Sequence, residues 1–175
     1  VIVNAKTDKI SGCNALDKIL LDPDLPQYQE KLKQLAGALQ EKGVELMAEE
    51  SIRPQLKAGE IPSDDTWFEE FLALKACVGE ASGLEEAIEK INHYSGGHSS
   101  TILTTDSNKA ATFMEQVDSA AVYHNASTRF TDGGQMGVGA ELAISTDKLH
   151  HRGPLGLEQL VTNKYYVYGS GQVRK

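Results

Sequence analysis

Apolar positions along the chain fall into short runs and helical stripes separated by polar loops. Residues 1–3 are continuous and β-branched, which predicts a short buried strand. A polar stretch over 6–12 then predicts a loop into a helix over 14–21. Ala15, Leu16, Ile19 and Leu20 form that helix's apolar face, and Pro23 lies beyond its end. The clearest helical pattern covers 25–42, where Tyr28, Leu32, Leu35 and Leu39 recur at three- and four-residue steps and Gly43 supplies the stop. Residues 44–47 alternate as a strand does. The stretch 49–65 is charged and irregular, with a short helix before Pro54, and the aromatic and apolar run 67–78 predicts a strand pair or bent strand entering the sheet.

Ser82, with Glu85 three residues on, predicts a capping box at the start of a helix whose buried stripe is Leu84, Ala87, Ile88 and Ile91. A strand over 100–105 follows a loop of small polar residues. Asp106 then caps a helix over 107–117, and a strand over 120–123 comes next. Strands thus alternate with helices, the mark of an α/β fold with a largely parallel sheet and flanking helices. Ligands in such folds sit beyond the carboxyl ends of strands, which draws attention to the loop over 125–139. The tail over 164–168 alternates Tyr and Val as an edge strand does, and an edge that aromatic calls for a partner from another subunit or domain.

Composition narrows the function classes. The chain has 175 residues, enough for one domain with a real core, and a net charge of −8 from 17 basic and 25 acidic side chains. No basic stripe supports a nucleic-acid role, and no apolar run reaches membrane-spanning length. The first residues lack the basic start and cleavage site of a signal peptide and open inside an apparent strand, so the chain is expected to begin mid-protein. Two cysteines, Cys13 and Cys77, suit a reducing, cytoplasmic compartment. The five histidines have no metal-ligand spacing, so no metal is expected.

The chemistry centres on Ser11-Gly12-Cys13-Asn14-Ala15-Leu16. A cysteine between a glycine turn and a predicted helix would sit where unpaired N–H groups and the dipole favour a thiolate nucleophile. Cys77, inside an apolar run, reads as core. Glu70, an acid among Trp67, Phe68 and Phe71, reads by itself as a rim carboxylate. The glycine-rich run over 133–139 matches neither the dinucleotide fingerprint nor the P-loop and reads as tight turns with positive φ.

These residues also carry a resemblance. Val3-Asn4-Ala5-Lys6-Thr7 through Gly12-Cys13-Asn14-Ala15, the run from Leu84 to Asn92 with Gly97-His98-Ser99, Val122-Tyr123-His124-Asn125-Ala126-Ser127-Thr128-Arg129-Phe130-Thr131-Asp132-Gly133-Gly134, and Leu149-His150-His151-Arg152-Gly153-Pro154-Leu155-Gly156-Leu157 are similar to the γ-glutamyl phosphate reductases (glutamate-5-semialdehyde dehydrogenases) of the aldehyde dehydrogenase superfamily. The likeness spans essentially the whole chain and corresponds to the C-terminal part of those enzymes. Lys90 stands where the family has histidine, and Gly97 and Ser100 also depart from its pattern.

The resemblance implies NADPH-dependent reduction of L-glutamyl 5-phosphate to the semialdehyde, in proline biosynthesis, through a thioester on Cys13. The Cys13 backbone N–H would be one oxyanion donor, and an asparagine upstream of residue 1 the other. It implies that Glu70 contacts the nicotinamide ribose. The substrate's α-carboxylate would be held by Arg129, with Asn14, Ser127 and Thr128 as further substrate-binding candidates; the competing role for Arg129 is to brace its loop against Asp132. The implied organisation is the end of the cofactor-binding domain over 1–12, the catalytic domain over 13–147, a return to the cofactor domain over 148–162, and an oligomerisation tail over 163–175. The implied partners are a second copy of the chain through the C-terminal strand, and glutamate 5-kinase. Three other readings stand beside this one: the reductase module of a bifunctional pyrroline-5-carboxylate synthase, a folded but inactive substrate and dimerisation module, and a thiol hydrolase pairing Cys13 with His98 or His124.

Overall fold

The computed structural model describes residues 1–175. Four parallel strands form the larger sheet, in the order β1–β4–β2–β3: β1 Lys18–Leu21, β2 Glu45–Ala48, β3 Gly59–Glu60 and β4 Lys75–Glu80. The helix α2, Tyr28–Gln40, makes the crossover from β1 to β2. It buries Leu32, Ala36 and Leu39 in a core shared with Ile19, Val44, Leu46, Ala48, Ile52, Leu56, Ala76 and Val78. Central β4 reads as a continuous apolar run because it is covered on both faces. Cys77 lies within it, fully buried, and burial pushes its thiol up to about 11.

A second parallel pair, β5 Ser99–Ile102 and β6 Ala121–His124, is joined by α5 Ser107–Gln116 and preceded by α4 Leu84–Tyr94. Ile88, Phe113 and Val117 form its core. Asp106 caps α5 as its position predicts, accepting from the N–H groups of Asn108 and Lys109. A short antiparallel ribbon, β7 Ala143–Ser145 with β8 Gly153–Leu155, completes the fold. No helix is long and apolar enough to cross a membrane.

From residue 25 onward helices and strands alternate as the pattern predicts except over 67–74, where a 3-10 turn ending at Trp67 and irregular chain stand in place of the expected strand until β4 begins at Lys75; the first twenty residues also differ. Residues 1–3 enter a helix, α1 Ile2–Thr7, rather than a strand. Ile2 and Val3 pack on the main core, and Ala5 and Lys6, a turn further on, are fully buried. That is a helical stripe, which three β-branched residues alone could not reveal. The helix expected over 14–21 is instead a set of turns followed by β1. Ile19 is buried there because β4 offers an unpaired edge, with Lys18 facing Cys77 and Leu21 facing Glu80. A three-residue apolar run suits either state, and the available partner decided it.

Smaller differences have local causes. The helix foreseen before Pro54 is α3 Arg53–Leu56, with Pro54 in its first turn, where proline's missing N–H is harmless. The capping box at Ser82 does not form: Gly83, at φ +91°, is the N-cap, and the Ser82 N–H donates to Glu86. Residues 164–168 form no strand within this chain, and Tyr165, Val167 and Tyr168 are largely exposed. A strand exists only against a partner, and none of the chain's own edges meets it.

One ion pair joins α1 to the sheet. Lys6, with no exposed side-chain surface, places Nζ 2.8 Å from Asp17 Oδ1. The other oxygen, Asp17 Oδ2, accepts from the Phe71 N–H at 3.1 Å. Replacing Asp17 with alanine leaves a buried ammonium without a counter-charge, and Asp17→Ala is expected to lower stability by about 3 kcal/mol in urea unfolding. A loss below about 1 kcal/mol would show that Lys6 finds water instead.

Candidate active site

The loop between α1 and β1 is closed at its base by the Lys6–Asp17 pair and by the Leu16 N–H on the Ala5 carbonyl, 2.9 Å. Between these ties, turns from Lys9 to Gly12 and from Gly12 to Ala15 lift Cys13 to the surface. Cys13 opens onto a cleft of about 980 Å³ between the larger sheet and the β5–β6 unit. Gly12 is required by close approach: a Cβ there would lie 2.9 Å from Arg129 Nη1 and 3.0 Å from Asn14 Oδ1.

No helix begins at Cys13, which corrects the expected electrostatics. Its thiol is raised rather than lowered: neighbouring protein removes part of its water, and the carboxylates of Glu141 and Glu70 oppose a negative sulfur. The Cys13 amide and the Arg129 guanidinium pull the other way and lose. That amide donates to no carbonyl, so it is free to meet an oxyanion. At neutral pH Cys13 is therefore a thiol that must lose its proton to react.

Glu70 stands exposed at the cleft rim, held through its neighbours. The Phe71 N–H is tied to Asp17, Lys18 Nζ donates to the Glu69 carbonyl at 2.6 Å, and the same ammonium lies 3.7 Å from the centre of the Phe71 ring. Leu72 then takes φ +48°, a left-handed conformation that costs a leucine about 1 kcal/mol and turns the chain sharply into β4.

The loop after β6 docks on the cysteine loop. Asn14 is buried, and its Nδ2 donates to the carbonyls of Thr131 at 2.8 Å and Arg129 at 3.3 Å. Thr128 Oγ1 donates to the Asn14 carbonyl at 2.7 Å, and Ser127 Oγ accepts from the Arg129 N–H. Asn14 and Thr128 thus hold the two loops together, while Ser127 caps a turn within its own loop. Arg129 is braced by Asp8, Nε to Oδ2 at 3.1 Å, rather than by Asp132. It borders a polar cavity of about 270 Å³ with Asn4, Asp8, Ser127 and Asp132.

The glycine run is a set of turns, as its sequence predicts. The Gly133 N–H donates to Glu141, those of Gly134 and Gln135 to Asp132, and Gly137 and Gly139 take φ +73° and +85°. Amides engaged in this way cannot cradle a phosphate, so the nucleotide's phosphates have no seat there. Glu70 does fit part of a dinucleotide, since an exposed carboxylate on the rim can accept from the two hydroxyls of a ribose.

His124 is engaged with Thr104 and lies off the cleft. His98 lines the cleft with Nε2 buried and unpartnered, so no ready-made Cys–His pair exists. Burial lowers His98, against an opposing pull from Glu141. Glu141, Thr131 and Tyr123 are the site residues that the sequence does not reveal. They converge only through the folded loops, and no spacing marks them.

A family model described as aldehyde dehydrogenase matches residues 27–142. The chain belongs to the aldehyde dehydrogenase family. It is 42% identical to a gamma-glutamyl phosphate reductase of Clostridium botulinum over 99% of its length and 46% identical to one of Thermoanaerobacter sp. over all of it, and spans about 42% of each. The crystal structure of a gamma-glutamyl phosphate reductase from Thermotoga maritima superposes with a TM-score of 0.92 at 43% identity, covering 100% of this chain and 42% of that one. An aldehyde dehydrogenase from Physcomitrella patens, 14% identical with a TM-score of 0.56, shares the fold, covering 73% of this chain and 34% of that one.

Removing the Glu141 charge tests the electrostatics of Cys13. A raised pKa means less thiolate than a free cysteine has at neutral pH. Glu141→Gln keeps an acceptor for the Gly133 N–H and removes one opposing charge, so iodoacetamide is expected to alkylate Cys13 severalfold faster at neutral pH, and the gain should shrink in high salt. An unchanged rate at low salt would mean that burial and Glu70, not Glu141, raise the thiol.

Proposed function

We propose that this chain supplies the nucleophile and the substrate-holding surface of an NADPH-dependent γ-glutamyl phosphate reductase, working in the cytoplasm in proline biosynthesis. The observation that carries the reading is Cys13, an exposed cysteine on a tied loop at the mouth of the cleft, in a chain similar along its whole length to proteins of that name.

The Cys13 sulfur attacks the acyl carbon of L-glutamyl 5-phosphate, the carbon–oxygen bond to phosphate breaks, and a thioester remains. The free Cys13 amide donates to the oxygen on which charge develops. Reduced nicotinamide, when bound, would supply the hydride needed to take the thioester to the semialdehyde. Glu70 holds the ribose hydroxyls. Asn14, Ser127 and Thr128 act by fixing the loop that presents Arg129, and the unengaged Nη atoms of Arg129 receive the α-carboxylate.

In this reading residues 1–12 end the cofactor-binding domain, 13–147 form the catalytic domain, 148–162 return to the cofactor domain, and 163–175 pair with a second copy. A bifunctional synthase would use the same module with a kinase domain, and a separate glutamate 5-kinase would be a partner by delivering the labile acyl phosphate.

In the enzyme of full family length, Cys13→Ser is expected to abolish NADPH oxidation by glutamyl phosphate. Retained turnover would remove the reductase reading. Arg129→Ala is expected to raise the KM for glutamyl phosphate roughly ten- to a hundredfold with kcat nearly unchanged, the loss of a charge-assisted contact of about 1.5–3 kcal/mol. An unchanged KM would assign Arg129 to bracing alone.

A further inference from the structure

Glutamyl phosphate carries an α-ammonium as well as an α-carboxylate, and so far only the carboxylate has a seat. The cavity of about 270 Å³ beside Arg129 has the composition to take both. Its wall holds one guanidinium and two carboxylates, Asp8 from the end of α1 and Asp132 from the loop after β6, with neutral Asn4, Ser127 and Gln135 between them. Arg129 is the one basic residue lining it, so the cavity is negative overall. A lone carboxylate would enter against that charge, whereas a head with an ammonium beside its carboxylate complements it. One oxygen of each acid is already engaged. Asp8 Oδ2 accepts from Arg129 Nε at 3.1 Å, and Asp132 Oδ1 accepts from the N–H groups of Gly134 at 2.9 Å and Gln135 at 3.1 Å. Asp8 Oδ1 and Asp132 Oδ2 remain to accept from a ligand. Ser127 Oγ accepts from the Arg129 N–H and keeps its own hydrogen to donate.

The cavity is within reach of the nucleophile through Arg129. A Cβ on Gly12, the residue before Cys13, would lie 2.9 Å from Arg129 Nη1. Covalent geometry then puts that nitrogen no more than about 11 Å from the Cys13 sulfur. An extended glutamyl chain is about 5 Å from carboxylate carbon to acyl carbon, and it covers the gap with a hydrogen bond at one end and an attacking sulfur at the other.

We propose that this cavity is the seat of the substrate's amino-acid head, in which Asp8 and Asp132 receive the α-ammonium while Arg129 and Ser127 receive the α-carboxylate. The inference rests on the reductase reading above and adds the residues that select an amino acid over a plain dicarboxylic acid. Asp8 already touches the guanidinium, so an ammonium on its other oxygen docks beside the carboxylate, as two groups on one α-carbon require. The acyl carbon at Cys13, the carboxylate at Arg129 and the ammonium at the two acids make three points of attachment, which fix the handedness of the α-carbon.

The test uses the enzyme of full family length and two acyl phosphates, glutamyl 5-phosphate and glutaryl phosphate, which has hydrogen in place of the α-ammonium. The parent is expected to favour glutamyl phosphate at least about tenfold in kcat/KM, the worth of a charge-assisted hydrogen bond. Asp8→Asn and Asp132→Asn keep an acceptor oxygen and the side-chain shape. Each is expected to lose about tenfold with glutamyl phosphate, chiefly through KM, and to narrow the preference over glutaryl phosphate by a similar factor. Equal losses with both substrates would make the two acids braces for Arg129 and its loop, and would overturn the proposal. An unchanged preference in one variant removes that acid from the seat. A parent that reduces both acyl phosphates equally well overturns the proposal whether or not the variants fold, and leaves the reductase reading standing. If the parent reduces neither, the reductase reading has failed and the seat falls with it.

Discussion

The buried pair between Lys6 and Asp17 is the constraint around which the site is built. An ammonium with no exposed surface needs its carboxylate, and the demand fixes where α1 sits relative to the first strand. The ten residues between them close into a loop that lifts Cys13 outward. The second oxygen of Asp17 binds the backbone at Phe71 and so places Glu70 on the rim of the same cleft. One carboxylate thereby sets the distance between a nucleophile and a candidate nucleotide contact that lie far apart in the chain.

The same economy governs the second half of the site. Thr128 donates to the Asn14 carbonyl across the two loops, and the Asn14 side chain donates to the Thr131 carbonyl, while the Thr131 hydroxyl meets Ser99 and Tyr123. Such a network is rigid because nearly every buried polar group has a partner. Two of the four exceptions in the chain, His98 Nε2 and Asn14 Oδ1, stand at the site. Burial, with two carboxylates beside it, raises the Cys13 thiol, and burial lowers His98.

The chain spans about two fifths of the length of the reductases it resembles, and its surface is consistent with further contacts. Leu142, Leu149, Leu157 and the Tyr165–Tyr168 tail are exposed apolar positions gathered in its last third. The aromatic alternation of the tail encodes one face of a strand, and the missing ingredient is a neighbour.

By itself the sequence determined the α/β alternation from residue 25 onward outside 67–74, the cap at Asp106, the burial of Cys77 and the turns of the glycine run. Each of these follows from periodicity, side-chain hydrogen bonding or φ, which are properties of neighbouring residues. The family was legible too, in motifs spread along the chain. Only the tertiary structure decided that residues 2–7 are a helix and 18–21 a strand, since both apolar runs are too short to choose a state without the core that receives them. It also decided the charge state of Cys13. A helix dipole would have lowered that thiol, but the fold partly buries it and brings Glu141 and Glu70 to it instead, and both depend on loops that no local rule describes.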